Sequence, residues 1–592
     1  MGEIELQAPA KSGVNPQPQA FGGWGGVAQR DWFAILLGWP GLFGTQTLTS
    51  QLHDTGRSAA TMASPGGPAL PPLVGLPVEL LTAISSLLPN RDIKSLRLAC
   101  RRLRSAVCLR LTRVFLSANP RNVEVVRAVA DHGFFRTQVT EIIWDDARLR
   151  ACGPREQGEP MEEGGHEHLG WFGRQCERNL EEVRHRRGED VDRPDHLARD
   201  RLVADVMPVE ESWRHYLDLV QQQREVLTSA ADIDAFRYGL QRFPSLTRVT
   251  ITPFAHGELF TPLHETPMIR SFPRGFNYPL PRTWLVHKPE LPDLGLALPW
   301  SGLSEADKDR WRGFRIVARE LAQDQNHRVT ELAIDDCHML SGINCTIFTE
   351  PCAEYDDLVA LLRRPGFRRL DLALLTGEQY EHRWSALKNG RLQRALAQAT
   401  DMQHISLSTS EAPGEEYSER YDPRHGNFVP LSTVFPVDRW RGLRHFGLSQ
   451  FVVRLDDLLS FLGTLPATLR SVELNCLMFK TGSYQALLEG MRASLDWRGR
   501  IARERPRVTV ATTVDSERGR IVWADKEVGD FLYGDGPIPF HNPWGAGRVL
   551  EIGVGVERDP FDPNYDRPNL DLAGLADAGY IKHAYFNDEK IY

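Results

Sequence analysis

A single apolar spacing restricts the fold of this chain more than anything else in its sequence. A large aliphatic, aromatic or Met side chain recurs with partners three and five positions on, as Val139/Ile142/Trp144, Leu246/Val249/Ile251, Val329/Leu332/Ile334, Phe367/Leu370/Leu372, Met402/Ile405/Leu407, Leu443/Phe446/Leu448 and Leu469/Val472/Leu474. The last two positions alternate as a short strand does, and the first anchors the turn leading in. Each triplet therefore reads as one rung of an L-x-x-L-x-L repeat. Helical segments precede most rungs: 123–130, opened by Asn119 and Pro120, then 311–321, 355–362, 387–397 and 455–462. A strand that returns after a helix lies parallel to the one before it. The expected fold class is α/β, the bulk of the chain being an irregular leucine-rich-repeat-like solenoid with parallel strands and outer helices.

The first positions of the rungs are unevenly spaced and furthest apart at the start, which calls for insertions at about 151–240 and 253–310. The repeat also favours Asn or Cys eight positions after its first residue. Cys337 alone complies; the other rungs have Ala147, Phe254, Leu375, Ser410, Phe451 and Leu477. A non-repeat α/β domain with parallel strands is the alternative reading.

At about 100 to 200 residues per domain, the 592 residues suffice for several packed units. Residues 1–70 are rich in Gly, Pro, Gln, Ser and Thr and read as a disordered arm, because they offer too little apolar surface to offset the entropy of ordering. Met62, just ahead of the first patterned segment, reads as a possible start of the chain, and a chain beginning there is expected to fold and bind unchanged. The apolar run from Trp32 to Phe43 is broken by Pro40 and is far short of the about 20 residues of a membrane span. Residues 71–115 read as a helical module, 116–515 as the solenoid, and 516–592 as a Pro- and Gly-rich C-terminal tail. Within the insertions, 151–201 reads as a Gly-rich loop leading into a solvated helix and 210–227 as a better helix. The nine prolines of 253–300 exclude long helices and leave an extended loop. A net charge of −8 gives no basic excess for nucleic acid, and eight scattered cysteines lack the density of a disulfide framework. Without a secretory start, the expected location is cytoplasmic or nuclear.

The helical module carries Leu80, Leu81, Ile84, Leu87 and Leu88 on one helix, which Pro77 can start and Pro89 ends. Ile93, Leu96, Cys100, Leu103 and Val107 lie on a second helix, capped by Asn90 or Asp92. Forty residues cannot bury all of these, so the apolar surface faces either the rest of the chain or a partner. The order of residues bears on that choice. Leu76-Pro77, Glu79, Leu80-Leu81, Ile84, Leu88-Pro89, Asp92-Ile93, Leu96 and Cys100-Arg101 resemble the F-box, with Leu103 where many members carry Trp. The following RVFLSANPRNVEVVRAVADHGFFRTQVTEIIWDDARL is similar to a group of fungal F-box proteins. The resemblance implies an adaptor subunit of a Skp-cullin-F-box-type ubiquitin ligase that docks a Skp-type linker, and through it a cullin. The implied contacts are Leu76, Pro77, Leu80, Leu81, Ile84, Leu88, Ile93, Leu96 and Cys100.

Chemistry is hard to find elsewhere. G-x-x-x-x-G-K-[ST], H-E-x-x-H and G-x-S-x-G are absent. Cys152, His166, His168 and Cys176 match no compact zinc spacing, and Cys337, Cys345 and Cys352 are too widely spaced for a knuckle. The pairs Asp145-Asp146, Asp335-Asp336, Asp356-Asp357 and Asp456-Asp457 fall beside rungs or at helix starts, where structural roles are expected. No metal, cofactor or catalytic residue is assigned. The residues between the buried positions of each rung, Glu331, Ala333, Arg369, Asp371, His404, Ser406, His445, Gly447 and Glu473, face away from the core and form the expected surface for an unknown protein target. The competing readings are a leucine-rich scaffold whose helical hairpin is only an N-terminal cap, and an enzyme with its site in the 253–300 region.

Overall fold

Each triplet folds as a short strand whose last two apolar side chains turn to one side of a single large sheet. The computed structural model describes residues 73–150, 165–187, 200–284, 295–377, 379, 384–410, 428–515, 520–540, 550–551, 553–570 and 574, all within one compact unit, Gly66–Tyr592. The strands are β1 (Arg113–Leu116), β2 (Glu141–Asp145), β3 (Arg248–Thr252), β4 (Glu331–Ile334), β5 (Arg369–Leu375), β6 (His404–Thr409), β7 (His445–Ser449), β8 (Ser471–Asn475), β9 (Arg507–Asp515), β10 (Arg520–Trp523), β11 (Val556–Asp559) and β12 (Asp562–Pro568). They pair in chain order, with Ile343–Asn344 as a short extra strand beside β5. From β1 to β9 every neighbour is parallel, and β10 to β12 complete the sheet antiparallel.

The register puts like with like. Val114 lies beside Ile142, and the row runs on through Val249, Leu332, Leu370, Ile405, Phe446, Val472 and Val508. No side chain of the seven triplets is more than 2% exposed, so the spacing marks the core. Each such side chain contributes about 1.5–3 kcal/mol by burial. Two rungs are additional to the seven: Leu111/Val114/Leu116, and 505/508/510, where Arg505 takes the anchor position before Val508 and Val510.

Helices precede β1 and return the chain between later strands. They include α1 (Val78–Ser86), α2 (Asn90–Ala99), α3 (Arg101–Ala106), α4 (Pro120–Asp131), α5 (Gly165–Arg187), α6 (Val209–Ser229), α7 (Ala231–Arg242), α8 (Arg312–Gln323), α9 (Ala353–Leu362), α10 (Arg391–Leu396), α11 (Leu455–Thr464), α12 (Tyr484–Ser494) and α13 (Asp525–Tyr533). The Asn119 side chain accepts from Arg121 N–H and Pro120 fills the first turn, so α4 starts where its caps dictate. α8 buries Phe314, Ile316, Val317 and Leu321, and α11 buries Leu458, Phe461 and Leu462. The expected 387–397 helix is split into Ser385–Lys388 and α10, because Gly390 adopts φ 76° between them. No helix among the described residues is long and apolar enough to cross a membrane.

Three expectations change. Residues 520–540 and 553–568 supply β10, α13, β11 and β12 instead of an appended tail, because Ile521, Val522, Phe531, Phe561 and Tyr565 are buried. The charged helix expected to be solvated, α5, buries Phe172 and Cys176 against Tyr216, Leu219 and Val220 of α6. The proline-rich segment after β3 is irregular as expected but packed, with Met268, Phe276 and Tyr278 in that same cluster. Its Arg282 guanidinium lies 5.2 Å from the Phe254 ring, 5.8 Å from the Phe561 ring and 2.9 Å from Glu258, so the last hairpin of the sheet meets the segment that follows its third strand. The expected arm at 1–70 and Cys152 lie outside the described residues.

Candidate recognition surface

The residues between the buried positions form two rows across the other side of the sheet. One runs Arg113, Glu141, Arg248, Glu331, Arg369, His404, His445, Ser471, Arg507, and the next Phe115, Ile143, Thr250, Ala333, Asp371, Ser406, Gly447, Glu473, Thr509. Neighbouring strands stand about 4.8 Å apart, so opposite charges in a row reach one another. Arg113 meets Glu141 at 2.6 Å, and Glu331 is held by Arg248 at 2.6 Å and by Arg368 at 3.0 Å. Asp371 takes Arg369 at 2.8 Å and His404 Nε2 at 2.7 Å. The His404 ring stacks on His445, 3.9 Å between centroids and 7° from parallel. His445 Nε2 is 3.2 Å from Ser406 Oγ, and its Nδ1 is 2.5 Å from Ser471 Oγ. Gly447 permits this arrangement: a Cβ there would lie 2.5 Å from Ser406 Oγ.

Burial pushes the carboxyls of Glu331 and Asp371 up, but the adjoining cations outweigh it and hold both below the usual range. Burial and the neighbouring His404 push His445 down to about 3. A neutral His445 whose Nδ1 faces a serine hydroxyl lacks the carboxylate that would orient and stabilise an imidazolium, so the Ser406–His445 pair is not equipped as a nucleophile and base. The cluster offers paired charges and hydrogen-bonding groups, which is the chemistry of polar contact with another surface.

Glu331, Arg369, Asp371, His404, Ser406 and His445 are thus joined in the ladder as their spacing implied, and Glu473 sits further along, accepting from the Asn475 amide. Ala333 and Gly447, expected on the open surface, are buried, one 7% exposed and the other filled by its neighbours. The segment after β3 covers the β1 end of this side, where His264 packs 5.7 Å from Phe115. That cover has no periodic signal in the sequence; its aromatic residues between prolines are the only hint.

The N-terminal module divides in two. Leu81 and Ile93, which the F-box resemblance groups with partner contacts, are 2% and 0% exposed, as buried as Leu103 and Val107. Leu80 and Ile84 are 50% and 39% exposed, and Leu87, one turn on, is 86% exposed. Leu76, Leu88, Leu96 and Cys100 are half-buried and Pro77 is exposed. The expected second helix is divided at Cys100, whose extended backbone starts α3 and whose Sγ accepts from Leu103 N–H. Asn90 and Arg110 tie the ends together through hydrogen bonds to each other and to the carbonyls of Ser86 and Leu88.

Three of the four acidic pairs have hydrogen-bond partners. Asp146 accepts from Trp284 Nε1 and Gly313 N–H, both at 2.8 Å. Asp335 accepts from Cys337 N–H, and Asp457 from Leu431 N–H. A cleft of about 240 Å³ is lined by Trp300, Thr346, Gln379 and Ser385 among others, with Glu350 as its one ionisable side chain. Among the described residues no group of His, Cys, Asp and Glu is placed to hold a metal. No protein-family model matches the chain, and no curated protein matches it. Fold and surface together define a mixed α/β protein built on a large, mostly parallel sheet.

Proposed function

We propose that this chain is the substrate-recognition adaptor of a Skp-cullin-F-box-type ubiquitin ligase, a non-catalytic subunit. Its F-box-like module α1–α3 docks a Skp-type linker, and a leucine-rich-repeat-like solenoid binds a protein target through the polar ladder. The observation that carries the reading is the stripe Leu80, Ile84 and Leu87, three large apolar side chains at helical spacing that the other described residues leave exposed. The parallel strands in unbroken chain order support the solenoid. Leu80→Asp with Ile84→Asp tests the docking role. Two carboxylates placed in an apolar contact would each lose its burial and strand a charge, so binding of a recombinant Skp-type linker should disappear with melting temperature and circular dichroism unchanged. Loss of the fold instead would make the stripe internal support and favour a scaffold with a helical N-terminal cap.

A further inference from the structure

We infer that the partner surface docked on α1–α3 is an apolar groove with an acidic rim, and that charge steers the association. The inference rests on the linker-docking reading and specifies the chemistry of that partner. Between Val78 and Ala106 the sequence places six basic side chains against Glu79 and Asp92, in a chain whose net charge is −8. Elsewhere arginines commonly face a carboxylate: Arg237 meets Glu320 at 2.7 Å, Arg315 meets Glu354 at 2.8 Å, and Arg520 meets Asp559 at 3.2 Å. Arg91, Arg97, Arg101, Arg102 and Arg104 have no such ion pair among the described residues. Arg97 donates to the carbonyls of Arg104 and Val107, and Arg102 to that of Leu76, contacts that hold the guanidinium without neutralising it.

These cations lie on α2 and α3, the two helices that directly follow the apolar stripe of α1 in the same module. On α2, Arg91, Ser95 and Leu98 share one face at helical spacing, and Leu98 is 70% exposed. Arg101 and Arg104 continue the exposed charge onto α3. A partner that covers the leucines must bring its rim close to several positive charges. Like charge there would repel, whereas carboxylates would raise the encounter rate and fix orientation. Nucleic acid fits less well: Val78–Ala106 holds no Phe, Tyr or Trp on which a base could stack, and exposed leucines gain nothing against phosphate.

The test measures association and dissociation rates of the full chain with a recombinant Skp-type linker from low to high salt. It compares the natural chain, Arg91→Glu/Arg101→Glu/Arg104→Glu and Leu80→Asp/Ile84→Asp, each checked for an unchanged melting temperature. The natural chain should associate about tenfold or more slowly at high salt. The triple arginine variant should associate slowly at every salt concentration with little change in dissociation, and the leucine–isoleucine variant should not bind. If association is independent of salt and the arginine variant behaves as the natural chain, while the leucine–isoleucine variant fails to bind, the charge inference falls and the docking reading stands. If the natural chain does not bind the linker, both fall. Tighter binding of a double-stranded RNA probe than of the linker, abolished in the arginine variant, would also overturn the inference.

Discussion

Asp145 and His256 meet where the segment after β3 crosses the end of β2. Asp145 Oδ1 accepts from Ala147 N–H at 3.0 Å, while Oδ2 is buried without a hydrogen-bond partner and lies 3.8 Å from His256 Nε2. His256 Nδ1 in turn is 2.7 Å from the Tyr278 hydroxyl. Burial pushes Asp145 up to about 8, with the neighbouring Asp146 adding to it, and pushes His256 down to about 3. The folded protein therefore holds a proton on Asp145 that the unfolded chain, with its ordinary value of 3.8, gives up. This contribution to stability is complete below that ordinary value and is lost as pH rises through about 8. Asp145→Asn keeps the shape and has no proton to lose. The natural chain should lose stability relative to the variant by about 1.4 kcal/mol for each pH unit across that window, and urea midpoints of both at several pH values check it. Parallel profiles would show that Asp145 is hydrated in the folded chain.

At the scale of elements, what was legible followed from side-chain periodicity. The seven triplets are strands because two apolar residues separated by one can share a buried side only in extended chain, and the helices before them follow from caps such as Asn119-Pro120. The ladder was legible for the same reason: knowing which residues point inward fixes which point outward. The β1 and β9 rungs were harder to see, since Leu111/Val114/Leu116 has no long helix announcing it and Arg505 replaces the apolar anchor before Val508. The cover over the β1 end was not legible, because the 253–284 segment packs by aromatic contacts that have no period. On the receptor reading proposed above, target binding is expected on the part of the ladder away from that cover, from β5 onward. Arg369→Glu with Glu473→Arg should then remove the target recovered by affinity purification and mass spectrometry while leaving linker binding intact. Retention of the same target by that variant would move recognition to another surface.

At the scale of the whole molecule, residues 520–568 decide where the sheet ends. Composition made them look like a tail, since their prolines and glycines hide three short strands, yet β10 pairs with β9 and β11 with β10. β12 completes the edge by pairing with β11. The hairpin turn between β11 and β12 carries Phe561, 2% exposed, against Arg282 from the segment after β3. Truncating a buried Phe to Ala costs about 3 to 5 kcal/mol through lost burial and the cavity left behind. Phe561→Ala should therefore lower the urea midpoint of the chain. The same contact joins segments far apart in sequence, so loosening the hairpin should also loosen the cover over β1 to β3. Hydrogen exchange measured by mass spectrometry should show faster exchange in peptides from 254–282 as well as from 556–568. An appended tail would behave otherwise: its variant would keep the urea midpoint of the natural chain, and faster exchange would stay confined to the tail.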